Sequence, residues 1–188
     1  PPYSGPVNHV IETIRALEII GNQVTLLTRD HGEILLADDA LQFRPIAVRQ
    51  MDSGLSRMVE RVIRRTQSEL KLPYFSLFDS VRFALACLQE LDDADLFYER
   101  FSWMSYGGCL AAKMSGTPIV LEENGNPLMM MDQVGNAPQG IQRWLEKQIM
   151  TWAAHSVSHT VASGDGWKAL FIEYFGVEKS SVSTVQNG

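Results

Sequence analysis

Cysteine is scarce in this chain. Only Cys87 and Cys109 occur in 188 residues, and they form neither a C-x-x-C pair nor the dense, even set of a disulfide framework. Zinc-ribbon and dithiol redox patterns are therefore missing, and both thiols are expected to be reduced and buried. No apolar run approaches the roughly 18–20 residues that a membrane-spanning helix needs, and there is no signal-peptide pattern and no N-x-S/T acceptor. These absences set the expected location as the cytoplasm. A basic excess is also lacking: 16 Lys and Arg face 22 Asp and Glu, for a net charge of −6. A surface that tracks nucleic-acid phosphates carries the opposite balance, so no nucleic-acid partner is expected. The dinucleotide fingerprint G-x-G-x-x-G is absent, which leaves hydride transfer with little support. No internal repeat, low-complexity tract or linker divides the chain, and residues 1–188 are expected to be one domain.

What is present is an alternation of short apolar strands and amphipathic helices. Val10, Ile14, Leu17 and Ile20 recur at helical spacing, and Gly21-Asn22 stops that helix. Strands are expected at 24–28 and 43–48, with 30–42 polar and irregular between them. Two helices follow, about 54–70 and 75–91. The rhythm then becomes regular: strand 95–100, helix 103–115, strand 118–123, helix 138–155, strand 157–163, helix 165–175 and strand 182–186. Continuous apolar strand cores suit a parallel sheet covered on both faces. The expected class is α/β: a Rossmann-like, doubly wound parallel sheet with helices on both faces. Such a sheet normally sends its first strand into the first loop, whereas this chain opens directly on Pro1 to Gly5. A central strand with four buried aliphatics contributes about 6–12 kcal/mol, comparable to a domain's whole stability of about 5–15 kcal/mol. The first strand is thus expected to be missing from this stretch of sequence; the other reading is a different strand order with nothing missing.

Ligands of such sheets bind outside the carboxyl ends of the strands. Four clusters stand there. Tyr3-Ser4-Gly5-Pro6-Val7-Asn8-His9 leads into a helix N-terminus suited to an anion such as phosphate, although Gly5 and Pro6 serve a plain turn equally well. Tyr98-Glu99-Arg100 offers Arg100 as a planar donor; its other use is to pair with Glu99 or Glu122 and order the loops. Gly107-Gly108, inside a helix pattern, point to close backbone packing, since each costs about 1 kcal/mol relative to Ala. Residues 118–127 end an apolar strand in Glu122, Glu123, Asn124 and Asn126, whose acceptors and donors match a vicinal diol. Neighbouring strand residues point to opposite faces, so Glu122 and Glu123 cannot flank one glycosidic bond. Ser163 precedes a helix and is placed as its cap.

Taken together and in order, these pieces resemble the N-terminal domain of the retaining family 4 glycosyltransferases of GT-B fold. The likeness runs from the Gly5 loop and Gly21-Asn22-Gln23-Val24, through 95–102, 107–127 and 160–170, to 175–188 ending in Asn187-Gly188. It implies two Rossmann-like domains around a cleft, this one forming the acceptor side and the other, absent here, holding a nucleotide sugar. The implied activity is transfer of a hexose-type unit to an acceptor hydroxyl with retention. The nucleotide sugar is a co-substrate; no cofactor and no metal are implied. By this resemblance Gly5, Asn8 and His9 approach the donor phosphates. Glu122 and Asn124 stand near the reacting centre, Asn124 where many members carry histidine. Tyr3, Arg100, Asn126, Ser163 and Asn187 line the substrate side. The chain by itself is expected to be inactive. The alternative is a non-catalytic nucleotide- or sugar-binding module, or a degenerate partner subunit; a sugar-nucleotide epimerase would need catalytic acids and a histidine that cannot be placed.

One helix has no part in this. Residues 55–70 set Arg57, Arg61, Arg64 and Arg65 on one side and Met58, Val59, Val62 and Ile63 on another. Such a helix can rest peripherally on anionic lipid, at the inner face of a membrane, and would suit a lipid-linked rather than a free carbohydrate acceptor. The plainer reading, and the favoured one, is a solvated charged face over a buried apolar one. Nothing in the sequence sets the oligomeric state.

Overall fold

Connection length decides the first part of the fold. The computed structural model describes residues 5–30, 33–38, 41–48, 51, 54–69, 77–102, 106–125, 130–132, 135 and 139–186. They fall into two compact units, 1–46 and 47–188. In the first, α1 (Gly5–Ile19) is followed by β1 (Leu27–Asp30), β2 (Glu33–Ala37) and β3 (Phe43–Ile46). The glycine stop operates: Gly21 N–H donates to Glu18 O at 2.9 Å and Asn22 N–H to Leu17 O at 3.1 Å. The three strands form their own antiparallel sheet, in the order β1-β2-β3, with Asp30 opposite Glu33 and Ile34 opposite Ile46. This corrects two expectations, the irregular stretch 30–42 and the membership of 24–28 and 43–48 in a parallel sheet. Only two residues, His31 and Gly32, separate β1 from β2. Parallel neighbours need a crossover of a dozen residues or more, and a link this short allows only antiparallel pairing. Ile34 and Ala37 of β2 are buried, as is Ile14 of α1.

The second unit holds α2 (Gly54–Glu69), α3 (Leu77–Glu90), β4 (Phe97–Arg100), α4 (Gly107–Ser115), β5 (Ile119–Glu123), α5 (Gly140–Ser156), β6 (His159–Ala162), α6 (Asp165–Phe175), a 3-10 turn (Lys179–Ser181) and β7 (Val182–Thr184). Here the expected rhythm is found to within a few residues. Its strands form a parallel sheet ordered β4-β5-β6-β7 and flanked by helices. The three crossovers step in one direction, and right-handed connections then bring their helices to one face; α4 touches α5, and α5 touches α6. Residues of one parity, Phe97, Ile119, Leu121, Thr160, Ala162 and Val182, are buried. The opposite parity carries Tyr98, Arg100, Val120, Glu122, Val161 and Ser183. Phe101, Phe171 and Phe175 pack together in the core, with ring centroids 4.9–5.7 Å apart in edge-on and tilted contacts.

Glu99 ties β4 to α4. Its carboxylate accepts from the N–H of Gly108 at 3.3 Å and of Cys109 at 2.9 Å, and the Cys109 thiol donates to it at 3.3 Å. A negative group thereby meets the positive end of the helix and satisfies first-turn donors that have no helical partner. Glu99→Ala is expected to lower stability by about 1–2 kcal/mol, measured as a lower urea midpoint at constant slope. Both cysteines are buried and unpaired with one another. Burial, and then the nearby Glu99 charge, push the Cys87 thiol up to about 12 and the Cys109 thiol upward as well. Such thiols are inert at neutral pH.

Candidate functional site

The carboxyl end of β5 gathers the polar residues that the sequence singles out there. Arg100 lies opposite Glu122 in the parallel register, so both side chains leave the same face of the sheet. Tyr98, two residues before Arg100, shares that face, and its hydroxyl donates to Glu122 Oε2 at 2.9 Å. Asn124 Nδ2 donates to Glu122 Oε1. The carboxylate, only 5% exposed, is thus held from both sides by a phenol and an amide. Burial, followed by Glu122's charge and hydrogen bond, raises the Tyr98 hydroxyl far above its ordinary range, and Arg100's charge partly offsets this. Tyr98 therefore stays protonated and remains a donor. The residue is 43% exposed and stands beside the carboxylate.

Glu123 goes the other way, as strand alternation requires. Its side chain is fully buried, its Oε1 accepts from Gly125 N–H at 2.9 Å, and its Oε2 has no partner among the described residues. Burial pushes this carboxyl up to about 7, only partly countered by the Gly125 hydrogen bond. Gly125 has φ of +140°, a conformation that side-chain-bearing residues rarely adopt, and a Cβ there would lie 3.2 Å from Met130 Sδ. Glycine thus lets the chain leave β5 sharply enough to fold Asn124 back onto Glu122.

Of the residues expected at the site, Arg100, Glu122 and Asn124 come together. Ser163 also stands at a strand end, where its N–H donates to Glu123 O at 2.9 Å, but it does not cap α6. The cap position is Gly164, and no side chain bonds there. Asp165 in the first turn supplies negative charge instead, and its Oδ1 accepts from Thr184 Oγ1 at 2.8 Å. Gly5 is the first residue of α1 rather than part of a loop, and Asn8 and His9 follow within that helix in the first unit. Asn8 is exposed and His9 half-buried. Tyr3, Asn126 and Asn187 lie outside the described residues. Tyr98, placed in the second cluster by the sequence but given no role there, joins the site through its hydroxyl. Its signal is present in the sequence: with strands parallel and side chains alternating, Tyr98 and Arg100 share a parity, and Glu122 meets them on the next strand.

Concavity points elsewhere. A hollow of about 570 Å³ lies at the amino ends of β5 and β6, lined among others by Lys113, Pro118, Trp152, His155 and Ser158. That is the opposite end of the sheet from Glu122 and Asn124, and ligands of such sheets gather at the carboxyl end. Gly107 and Gly108 are packing residues, as their spacing suggests: a Cβ on the first would meet Ser80 O and Phe83, and on the second the Glu99 carboxylate.

The described residues contain no helix long and apolar enough to cross a membrane. The model of one protein family, described as Glycosyltransferase Family 4, matches residues 3–188 and so runs through both units. No curated protein matches the chain.

Proposed function

The chain belongs to glycosyltransferase family 4, and we propose that it forms the acceptor side of a cleft in which a hexose-type unit passes from a nucleotide sugar to an acceptor hydroxyl with retention. The observation that carries this reading is the Tyr98–Glu122–Asn124 group with Arg100 in register beside it. A buried carboxylate with spare acceptor capacity can take hydroxyl hydrogens from a sugar. The Asn124 amide can accept or donate beside it, and Arg100 brings a fixed positive fork to a site where negative charge arrives with a nucleotide diphosphate. The Tyr98 ring offers a flat apolar face to a sugar ring. In this reading Gly5, Asn8 and His9 meet the donor phosphates, a second domain outside this chain holds the nucleotide, and no metal or cofactor takes part. The acceptor is a carbohydrate, free or lipid-linked.

Asn124→Ala and Arg100→Ala in the full-length enzyme are each expected to lower turnover roughly 10–100-fold while leaving the melting temperature almost unchanged. Unchanged turnover in both variants would remove the site assignment. The second reading, a non-catalytic sugar- or nucleotide-binding module, draws on Glu122 being held by the chain's own donors on both oxygens. It predicts saturable binding of the nucleotide sugar with no product, whichever acceptor is supplied.

A further inference from the structure

Two of the buried carboxylates in the second unit are held in opposite ways. Glu60 of α2 is 8% exposed, and its two oxygens accept from Arg64 Nε at 2.8 Å and from Arg82 of α3 at 2.7 Å. Arg64 also donates to Asp79 of α3 at 3.1 Å. This network turns the Glu60–Arg64 side of α2 toward α3. It leaves Leu55, Met58, Val59, Val62 and Ile63 40–74% exposed, which overturns the expectation of a solvated charged face over a buried apolar one. Glu60 thus has two cations to offset its burial. Glu123 has none among the described residues, although it is fully buried.

The position of Glu123 is one that an apolar side chain would fill. It shares a sheet face with Ile119 and Leu121 and lies in register with Ala162, all of them buried. A carboxyl placed there loses its hydration, a cost that hydrogen bonding must offset. Its one hydrogen bond among the described residues comes from Gly125 N–H, two residues on, which donates to Oε1 at 2.9 Å. Such a bond from side chain to backbone closes a local turn, and the residue enclosed by this one is Asn124. On the other side, Glu123 O accepts from Ser163 N–H at 2.9 Å, which anchors the Glu123 backbone at the end of β6. Gly125, at φ of +140°, has no Cβ to limit its rotation. Left unbonded, it would let Asn124 swing away from β5. The Glu123 carboxyl removes that freedom: both neighbours of Asn124 are fixed, one by Ser163 and one by the Glu123 side chain, and the Asn124 amide is delivered to Glu122 Oε1. We propose that Glu123 is a positioning residue, buried out of reach of any substrate, that keeps the Asn124 amide on Glu122 by holding Gly125 N–H. Its consequence for turnover rests on the acceptor-side reading of the site; the positioning itself does not.

The first test is NMR of the isotope-labelled chain. In the unaltered chain the Gly125 amide is expected to exchange with solvent roughly 5–10-fold more slowly than an unbonded glycine. The Asn124 side-chain amide, identified by its loss in Asn124→Ala, is expected at shifts displaced from those of a free amide. Glu123→Met keeps the length of the side chain and removes the acceptor. It should speed Gly125 exchange by the same roughly 5–10-fold and move the Asn124 signals to the free position, whereas Glu123→Gln, which keeps an oxygen, should restore both. An unprotected Gly125 amide in the unaltered chain, or Asn124 signals unmoved in Glu123→Met, overturns the proposal; the first of these needs no variant to fold. The second test uses the full-length enzyme, with UDP- and GDP-hexoses as donor probes and release of nucleoside diphosphate as the readout. Glu123→Met should lower kcat roughly 10-fold with KM little changed, and should have no further effect when added to Asn124→Ala. Loss of folding would lower turnover by the same factor in both backgrounds, and that result overturns the positioning role. Unchanged turnover in Asn124→Ala removes instead the acceptor-side reading, and the NMR signals then decide the positioning alone.

Discussion

Gly107→Ala is expected to destabilise the protein by about 2 kcal/mol, a large effect for the addition of one methyl group. A Cβ at this position would lie 2.7 Å from the backbone oxygen of Ser80 and 2.9 Å from Phe83 Cβ. Ser80 and Phe83 belong to α3, and Ser80 is almost fully buried, so neither can turn aside; the helices α3 and α4 must separate. Overpacking of this kind costs about 1–3 kcal/mol. Alanine is the better helix former by up to about 1 kcal/mol in a helix interior, but less at the first helical position, so the clash wins. Gly108→Ala makes a useful contrast. The atoms nearest its Cβ would be those of the Glu99 carboxylate, at 2.6 Å from Oε2, and that flexible group can move at the cost of its bonds to the first turn of α4. A smaller loss, about 1 kcal/mol, is expected there. Urea titration distinguishes the two; a Gly107→Ala protein within about 0.5 kcal/mol of the parent, the scatter of a neutral surface change, would mean that α3 and α4 can part without cost.

Glu123→Gln should act in the opposite direction, and only above a certain pH. The carboxyl is raised from 4.5 to about 7 in the folded protein by burial. Below 4.5 it is protonated whether the chain is folded or not, and its contribution to stability is complete. Between 4.5 and about 7 the unfolded chain releases the proton more readily than the folded one, so stability falls as pH rises; beyond about 7 the loss is full. At about 1.36 kcal/mol per unit, this amounts to about 3 kcal/mol at most. Glutamine keeps the shape and an oxygen for the Gly125 N–H, but has no proton to lose. The variant is therefore expected to melt higher than the parent at about pH 8, to match it closely at about pH 4.5, and to show a flatter profile between. A parallel decline of both proteins across this range would show that Glu123 is not the titrating group.

Several of these features are legible in the order of residues. The strand ends at Arg100 and Glu123 and the helix stop at Gly21 follow from local patterns, apolar strand runs in the first case and a helical period closed by glycine in the second. The opposite directions of Glu122 and Glu123 follow from strand alternation alone. The strand β2 escapes such a reading although its signs are local, an apolar run Ile34-Leu35-Leu36-Ala37 set a few residues beyond β1; the charged residues at both ends of the run disguise it as a loop. Ser163 misleads because a serine before a helix is a common cap, yet the chain places Gly164 in the cap position and leaves the first turn to Asp165.

The α/β class, the alternation of elements in the second unit, the family and the polar strand ends at which a site belongs all follow from residue order. Each rests on residues close in the chain, where spacing and chemistry are read directly. Tertiary packing chose the partner that each of those residues meets. It gave Glu99 to the start of α4, joined Tyr98 and Asn124 on Glu122, buried Glu123, and turned α2 so that its arginine–glutamate side faces α3 and its apolar stripe faces out. An amphipathic pattern states that a helix has two faces; only the groups packed against it, here Arg82 and Asp79, decide which face is turned inward.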